Sequence, residues 1–434
     1  MTSTARAVGQ GRCVPLLLME SRFRRRTLML VSTGTAVLFV GTACGNSATF
    51  VGAPDLEELD SAAQITLTPE NETEDAPVTT ELEVSVEDGE LTTLTLTSAD
   101  GETVEGDWRA DGSTWVPAEP LSYETTYTAR AVALDKHEIP AESETSFTTM
   151  ASPGNRMGAS LWNSSEYEYG NAMPIMIDFP RDYSVPEDKR DDVERRLFVE
   201  SDPPQMGAWH WFSGNHLEYR PKEFWVPGSV VKVRLGLGGL PLGDGLYGMQ
   251  DISGTIHISS TTRHIEADNA TKQLTATENG EVVKTAPISL GKDSTPSYSG
   301  TMIVMERLAE TVFDTTAACG GKVEGDDCYR TDIQWAERLT WSGQFIHSAP
   351  WSVGDQGTRN VSHGCVNVAP DDAEWIYNFT RLGDPVVVKG TGVELPYGDG
   401  FTAYDMSWEE FLEGSYLPAP DAEDDGDEES GNDD

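Results

Sequence analysis

Apolar and polar side chains alternate with a period of two along the first long foldable stretch of this chain, and that period constrains the fold more than any other feature. Leu82, Val84 and Val86 alternate with polar neighbours, Asp88-Gly89 supplies a turn, and Leu91, Leu94 and Leu96 follow. Successive side chains of a strand point to opposite faces, so a period of two reads as strand where a period near 3.6 would read as helix. Tyr127-Thr128-Ala129-Arg130-Ala131-Val132 alternates in the same way, and Ser146-Phe147-Thr148 closes the segment. Short strands with turn signals over about ninety residues predict a β-sandwich, here placed at 62–150. A second segment of the same kind, 151–257, holds Ile175-Met176-Ile177-Asp178-Phe179 and Val230-Val231-Lys232-Val233-Arg234-Leu235.

The two segments echo one another. Trp115-Val116-Pro117-Ala118-Glu119 in the first corresponds to Tyr219-Arg220-Pro221-Lys222-Glu223 in the second, each just before an alternating strand. The reading is two tandem immunoglobulin-like β-sandwich modules. Trp209, Trp211 and Trp225 could line a sugar groove, but large aromatics serve more often as sandwich core. Strands continue through 258–390, with Val386-Val387-Val388 the last of them, but Gly, His and Cys now stand in unusual places. Residues 391–416 carry Tyr404, Met406, Trp408, Phe411 and Leu412, an apolar set expected to pack back on the preceding domain. The tail, 417–434, is a like-charge run without an aromatic residue and is expected to be disordered. A chain of 434 residues has room for this arrangement, at about 150 residues per domain. The fold class is mainly β: two sandwich modules, a β-rich third domain and a short C-terminal subdomain.

Residues 1–44 read as an address. Arg22-Phe23-Arg24-Arg25-Arg26 is basic, and the apolar, small stretch 27–43 that follows is short for a membrane span, which takes about 20 residues. Met19 lies closer to this charged region than Met1 and is the expected true start, which leaves Cys13 without a role. Gly41-Thr42-Ala43-Cys44, followed by Gly45-Asn46-Ser47, resembles the bacterial lipobox, although Gly41 stands where a Leu-like residue is usual. The resemblance implies lipidation of Cys44. An ordinary cleaved signal peptide and an uncleaved anchor are the alternatives. All three put the rest of the chain outside the cytoplasmic membrane, with 45–61 as a tether, in a compartment that permits disulfides.

The formal net charge is -43. Binding nucleic acid requires basic surface to neutralise phosphate, and this chain lacks it. The acidity itself reads as a solvated surface and points to no substrate.

Chemistry concentrates in Phe345-Ile346-His347-Ser348-Ala349-Pro350-Trp351 and Asn360-Val361-Ser362-His363-Gly364-Cys365-Val366-Asn367. A thiol attacks carbonyls as thiolate, and a free cysteine of pKa ~8.5 is mostly protonated at neutral pH. It needs an imidazole to take its proton and donors for the oxyanion that forms. His347 and His363 both lie near Cys365 in sequence, and Gly364 removes a side chain where a carbonyl must approach. Backbone N–H groups around Gly364 and Cys365 are plausible oxyanion donors. A metal site built from His347, His363 and Cys365 has suitable ligand types but a spacing that matches no common zinc pattern.

The longer string resembles the catalytic signature of the YkuD-type L,D-transpeptidases: a His-Ser pair, then Ser-His-Gly-Cys-Val-Asn after a loop. His264-Ile265-Glu266-Ala267-Asp268 with Asn279-Gly280-Glu281-Val282-Val283-Lys284 is similar to that family's opening hairpin, and Pro287-Ile288-Ser289-Leu290-Gly291-Lys292 to the segment before its Thr-Pro loop. The resemblance covers the whole third domain. With two β-modules before it and an aromatic segment after it, the chain resembles the lipoprotein branch of mycobacteria and corynebacteria.

The resemblance implies Cys365 as acylated nucleophile, His347 as general base oriented through the carbonyl of Ser348, and His363, Gly364 and Cys365 as the oxyanion-hole segment. It implies Asn367 as a loop support or substrate contact, Tyr329 as a lid residue over the acylated cysteine, and Trp351 as an aromatic wall. Ser348 and Ser362 could instead only satisfy loop backbone, and Trp351 only pack. Two departures stand out. Val312-Phe313-Asp314 occupies the lid hairpin where the family has a Met, and Cys319 and Cys328 flank a Gly-rich loop just before Tyr329. A disulfide between Cys319 and Cys328 that stiffens the lid is the expectation.

The function so implied is peptidoglycan 3→3 cross-linking of diaminopimelate-type stem peptides through a Cys365 thioester, with no cofactor and no metal. Carbapenems are the expected inhibitors. The protein is expected as a lipid-anchored, extracytoplasmic monomer facing the cell wall. Carboxypeptidase or exchange activity on the same fold, and a non-catalytic wall-binding lipoprotein, are the alternatives.

Overall fold

The computed structural model describes residues 60–109, 112, 114–323 and 328–418, without the side chains of 318 and 319. The export segment with Cys44, the tether apart from its last two residues, and the tail beyond 418 lie outside the described residues. No helix among the described residues is long and apolar enough to cross a membrane.

The first alternating segment forms two four-stranded sheets. Gln64–Thr68, Leu82–Glu87, Thr114–Pro117 and Gly106–Trp108 make one; Thr73–Ala76, Pro140–Thr149, Thr126–Asp135 and Gly89–Ser98 make the other. Along Thr126–Asp135 every second side chain is buried, from Tyr127 through Ala129, Ala131 and Ala133. These residues close on Leu82, Leu96, Trp115 and Phe147 to form the core. The bend at which the chain passes from Leu82–Glu87 in one sheet to Gly89–Ser98 in the other is made by Asp88 at φ 54°, a conformation that Asp tolerates better than most residues.

The second segment repeats the plan with two further four-stranded sheets, and adds a helix, Glu187–Glu194, that no periodicity announced. Trp209, Trp211 and Trp225 are buried in its core, so of the two readings of these tryptophans the packing one holds. The indole N–H groups find partners there: Trp211 donates to Glu194 at 2.7 Å and Trp225 to the Met173 carbonyl at 2.8 Å.

The sequence echo corresponds to two equivalent hairpins. Gly106 faces Pro117 and Trp108 faces Trp115 in the first module; Gly207 faces Pro221 and Trp209 faces Tyr219 in the second. Both glycines make room for the aromatic ring across the strand. A Cβ on Gly106 would come within 2.3 Å of Trp115, and one on Gly207 within 2.4 Å of Tyr219.

The third domain opens with the meander Arg263–Asp268, Gln273–Glu278 and Glu281–Pro287. Asn279 and Gly280, both at positive φ, make the two-residue turn between the last two strands. Pro385–Lys389 joins this sheet, parallel to Arg263–Asp268 and antiparallel to Gly300–Ile303. A second, four-stranded sheet runs Glu306–Asp314, Arg330–Arg338, Phe345–Ser348, Val366–Val368. The helix Pro370–Phe379 covers it and buries Ala373, Ile376 and Phe379.

One expectation needs correction. Residues 391–416 do not simply fold back on the third domain. Asp399 and Asp405 tie the segment there, accepting from the backbone N–H groups of Ser342 and Thr301. Its apolar end, however, packs on the second module: Phe411 is fully buried beside Ala208. The Arg220 guanidinium lies over the rings of Tyr404, Trp408 and Phe411 at 4.8, 5.2 and 4.5 Å. Such cation–π contacts strengthen where water is excluded, and Arg220 is 2 % exposed. The segment is a strap joining module to domain, and it helps hold the domain that carries the site.

Candidate active site

Two short parallel strands build the centre. Phe345–Ser348 pairs with Val366–Val368 so that His347 stands opposite Asn367 and Ser348 opposite Val368. Cys365 immediately precedes the second strand. The chain between them, which includes the short helix Pro350–Ser352, returns the Cys365 end of the loop to the strand that carries His347.

His347 Nδ1 lies 2.9 Å from the carbonyl oxygen of Ser348. A carbonyl only accepts, so the ring proton belongs on Nδ1 and the Nε2 lone pair is left as a base. Asn367, opposite His347 in the strand pair, donates to Ser352 Oγ at 3.2 Å and exchanges two backbone bonds with Ser289. Ser348 is buried and serves the site through its carbonyl.

Electrostatically the pair rests uncharged. Burial pushes His347 down to about 4, against the bonds to Ser348 and Asn367 that favour its charged form. Burial pushes the Cys365 thiol up to about 11, against the Phe345 N–H and the charge of Arg338. The thiol donates to the Gly343 carbonyl at 3.7 Å, and Cys365 keeps part of its surface accessible. Both shifts favour the uncharged forms, thiol and imidazole. In such a setting a base positioned to take the thiol proton would contribute most.

The residues before Cys365 are locked. Gly364 has φ 120°, which only glycine adopts readily, and a Cβ there would press on Gln344 at 3.2 Å. Ser362 Oγ donates to the Cys365 carbonyl at 2.6 Å and accepts from the Gly364 N–H at 3.2 Å. Of the oxyanion-hole segment expected at His363, Gly364 and Cys365, the Gly364 N–H is thus already engaged. The Cys365 N–H has no acceptor among the described residues and is the donor left to a developing oxyanion.

Lid and walls follow from the hairpin Glu306–Asp314/Arg330–Arg338. Tyr329 sets its ring 5.5 Å from that of His363, tilted by 43°, and is fixed through its backbone to Thr315. Trp351 is 57 % exposed, its ring 6.0 Å from His347, so it is a wall and not core packing. It borders a cavity of about 530 Å³ together with Ser348, Val312, Asp332 and Ile333. A larger cavity, about 750 Å³, lies at Trp108 and Phe198 between the two modules, away from these residues. Cys328 is disulfide-bonded; its expected partner Cys319 ends the short helix Thr316–Cys319, with its side chain outside the described residues. Among the described residues no cluster of His, Cys, Asp or Glu could hold a metal ion.

Sequence reasoning missed how the pocket is closed. Phe313, noticed only as a departure, packs its ring 4.6 Å from Phe345 and edge-on to His347 at 5.1 Å. It supplies part of the desolvation that keeps the imidazole neutral. Phe313→Ala is expected to move the His347 pKa up from about 4 toward the ordinary 6.5, by roughly one unit, and to slow acylation by about tenfold. Titration of the His347 ring by NMR, beside the rate of thiol acylation, checks both.

Comparison with known proteins assigns the two parts of the chain separately. A bacterial Ig domain profile matches residues 73–241, and an L,D-transpeptidase catalytic domain profile of the YkuD type matches 262–388. L,D-transpeptidase 2 of Mycobacterium tuberculosis is 34% identical over 402 residues, covering 90% of this chain and 96% of that protein. L,D-transpeptidase 5 of the same species is 31% identical over 91% of this chain and 86% of its own length. Among solved structures, an LD transpeptidase in complex with imipenem matches 54% of this chain and 99% of its own, at 30% identity and a TM-score of 0.45.

Proposed function

Because the chain belongs to the L,D-transpeptidase family, we propose that it cross-links peptidoglycan stem peptides by acyl transfer through Cys365. The observation that carries this reading is His347, its Nδ1 held by the Ser348 carbonyl, on a strand that pairs with the one Cys365 immediately precedes. Cys365 Sγ attacks the carbonyl that joins diaminopimelate to a terminal D-alanine, and His347 Nε2 takes the thiol proton. The tetrahedral oxyanion is held by the Cys365 N–H. His347 returns the proton to the leaving amine, D-alanine departs, and a thioester remains. The side-chain amine of a second diaminopimelate then attacks the thioester and releases the thiol, giving a 3→3 cross-link. Splitting the transfer into two acyl steps is the usual gain of covalent catalysis.

No step calls for a metal or an organic cofactor. A carbapenem presents a strained amide carbonyl to the same thiol and would acylate it. The sequence features at 1–44 support an exported protein anchored through a lipid on Cys44, with the two modules setting the height of the site above the membrane. The test is to incubate the chain with a disaccharide-tetrapeptide and resolve the products. Equimolar D-alanine release and a dimer joined between two diaminopimelates support the reading. D-alanine release without dimer would make the protein a carboxypeptidase, and no release would overturn the proposal.

A further inference from the structure

The two modules meet at the cavity of about 750 Å³, which the acyl transfer does not use. Its floor is the outer face of the sheet that pairs Leu197–Asp202, Val230–Leu235 and Ile252–Ile258. The register sets two rows across these strands, Phe198–Arg234–Ser253 and Glu200–Lys232–Thr255. The alternate residues Leu197, Val231, Val233, Leu235 and Ile256 are buried in the core, so the two rows face outward. The wall is the hairpin of the first module, which presents Asp107 and Trp108.

The groove is preformed, because the junction is tied from both sides. Arg109 donates to both oxygens of Glu81, at 2.9 and 2.7 Å, and to the Arg195 carbonyl of the second module at 2.7 Å. Arg196 reaches the same Glu81 at 2.5 Å. Arg234, paired with Asp251 at 3.0 Å, donates back to the Pro117 carbonyl of the first module at 3.2 Å. The three guanidinium groups surround the Phe198 ring at 5.6, 5.8 and 5.3 Å. A site whose walls are fixed before binding loses less affinity to ordering.

Trp108 indicates what the groove holds. Its equivalent in the second module's hairpin, Trp209, is 5 % exposed, whereas Trp108 is 40 % exposed and lines the cavity. An indole left in water forgoes about 25 cal/mol per Å², which a ligand with an apolar face would recover. Around it stand carboxylates (Asp107, Glu200), an ammonium (Lys232) and hydroxyls (Ser253, Thr255). A polyanion would be repelled by the two carboxylates, and a lipid tail would leave every polar group unpaired. A sugar ring satisfies both demands: its C–H face lies on the indole while its rim of hydroxyl and amide groups donates to carboxylates and accepts from the ammonium.

We propose that the groove between the two modules binds a neutral saccharide strand, with Trp108 as the platform for one sugar ring and Glu200, Lys232 and Thr255 as partners of its rim. That the strand is the wall glycan carrying the stem peptides rests on the acyl-transfer reading of Cys365. Bound there, the strand raises the local concentration of stem peptides around the catalytic domain without touching it.

The probe is a chito-oligosaccharide hexamer, a neutral strand without peptide, titrated into the whole chain and followed by saturation-transfer NMR, beside Trp108→Ala, Trp108→Phe and Glu200→Ala. Wild type is expected to bind it. Trp108→Ala should weaken binding by about tenfold or more, and Trp108→Phe should stay within about threefold of wild type. Glu200→Ala, at an exposed position, should weaken binding by about threefold to tenfold and serves should Trp108→Ala melt early. Equal D-alanine release from a sugar-free stem tetrapeptide by all four chains shows that the catalytic domain is intact. No binding by wild type, full binding by both alanine variants, or displacement of the hexamer by polyglutamate overturns the inference and leaves the function standing. If wild type binds the hexamer but releases no D-alanine, the acyl-transfer reading fails and the saccharide site stands.

Discussion

Replacing Cys365 by alanine is expected to abolish D-alanine release from a stem tetrapeptide, by about 10⁴-fold or more, and to abolish covalent capture of carbapenems. No other described cysteine can substitute: Cys328 is disulfide-bonded and Cys365 is the free thiol among the described residues. The fold should tolerate the change. Cys365 is at the edge of a small cluster around Ile333, Ala336 and Phe345 and keeps partial exposure, so the loss of one sulfur atom costs about 1 kcal/mol. A thermal melt near that of wild type, together with lost turnover, separates chemistry from misfolding.

His347→Ala is expected to have the second-largest effect, roughly 10³-fold to 10⁴-fold on acylation at neutral pH. The size of the loss should depend on pH. Because the thiol in the folded chain is pushed up to about 11, few thiolates exist at pH 7 without a base to take the proton. As pH rises toward 11, hydroxide does that work and the gap between variant and wild type should narrow. A gap that stays constant from pH 7 to 10 would mean that His347 acts otherwise than as a base.

The same two groups shape stability. His347 falls from an ordinary 6.5 to about 4 on folding, so the unfolded chain binds the extra proton. Its contribution to stability is complete above about 6.5 and is lost as pH falls through 6.5 toward 4. Cys365 is raised, so its contribution is lost in the other direction, as pH climbs past the unfolded value near 8.5 toward 11.

Much of the architecture could be read from the chain because period-two patterning is local. Tyr127 to Ala133 buries every second residue as the alternation implies, and the Gly–Pro echo marks two equivalent hairpins. The helix Glu187–Glu194 left no such trace: it is eight residues long, highly charged, and its buried Glu194 is tied to Trp211 and Tyr416 by tertiary contacts. The strap was misplaced for a related reason. An apolar set such as Met406, Trp408 and Phe411 shows that a segment packs, not against which surface, and Arg220 gave no sign in sequence of the three rings it would cover. At the site, Cys365 and His347 were visible because their chemistry is written in residue type and spacing. The part played by Phe313 was not, since it packs against Phe345 and His347 from a segment far from them in sequence.

The most direct test of the account is intact mass spectrometry of the chain from residue 45 onward, beside its Cys365→Ala variant, during turnover of a stem tetrapeptide without an acceptor. The account predicts a transient adduct on the wild type equal to the peptide less D-alanine and absent from the variant. An adduct of equal extent on Cys365→Ala, or D-alanine release by the wild type with no acyl intermediate under rapid quench, would contradict it.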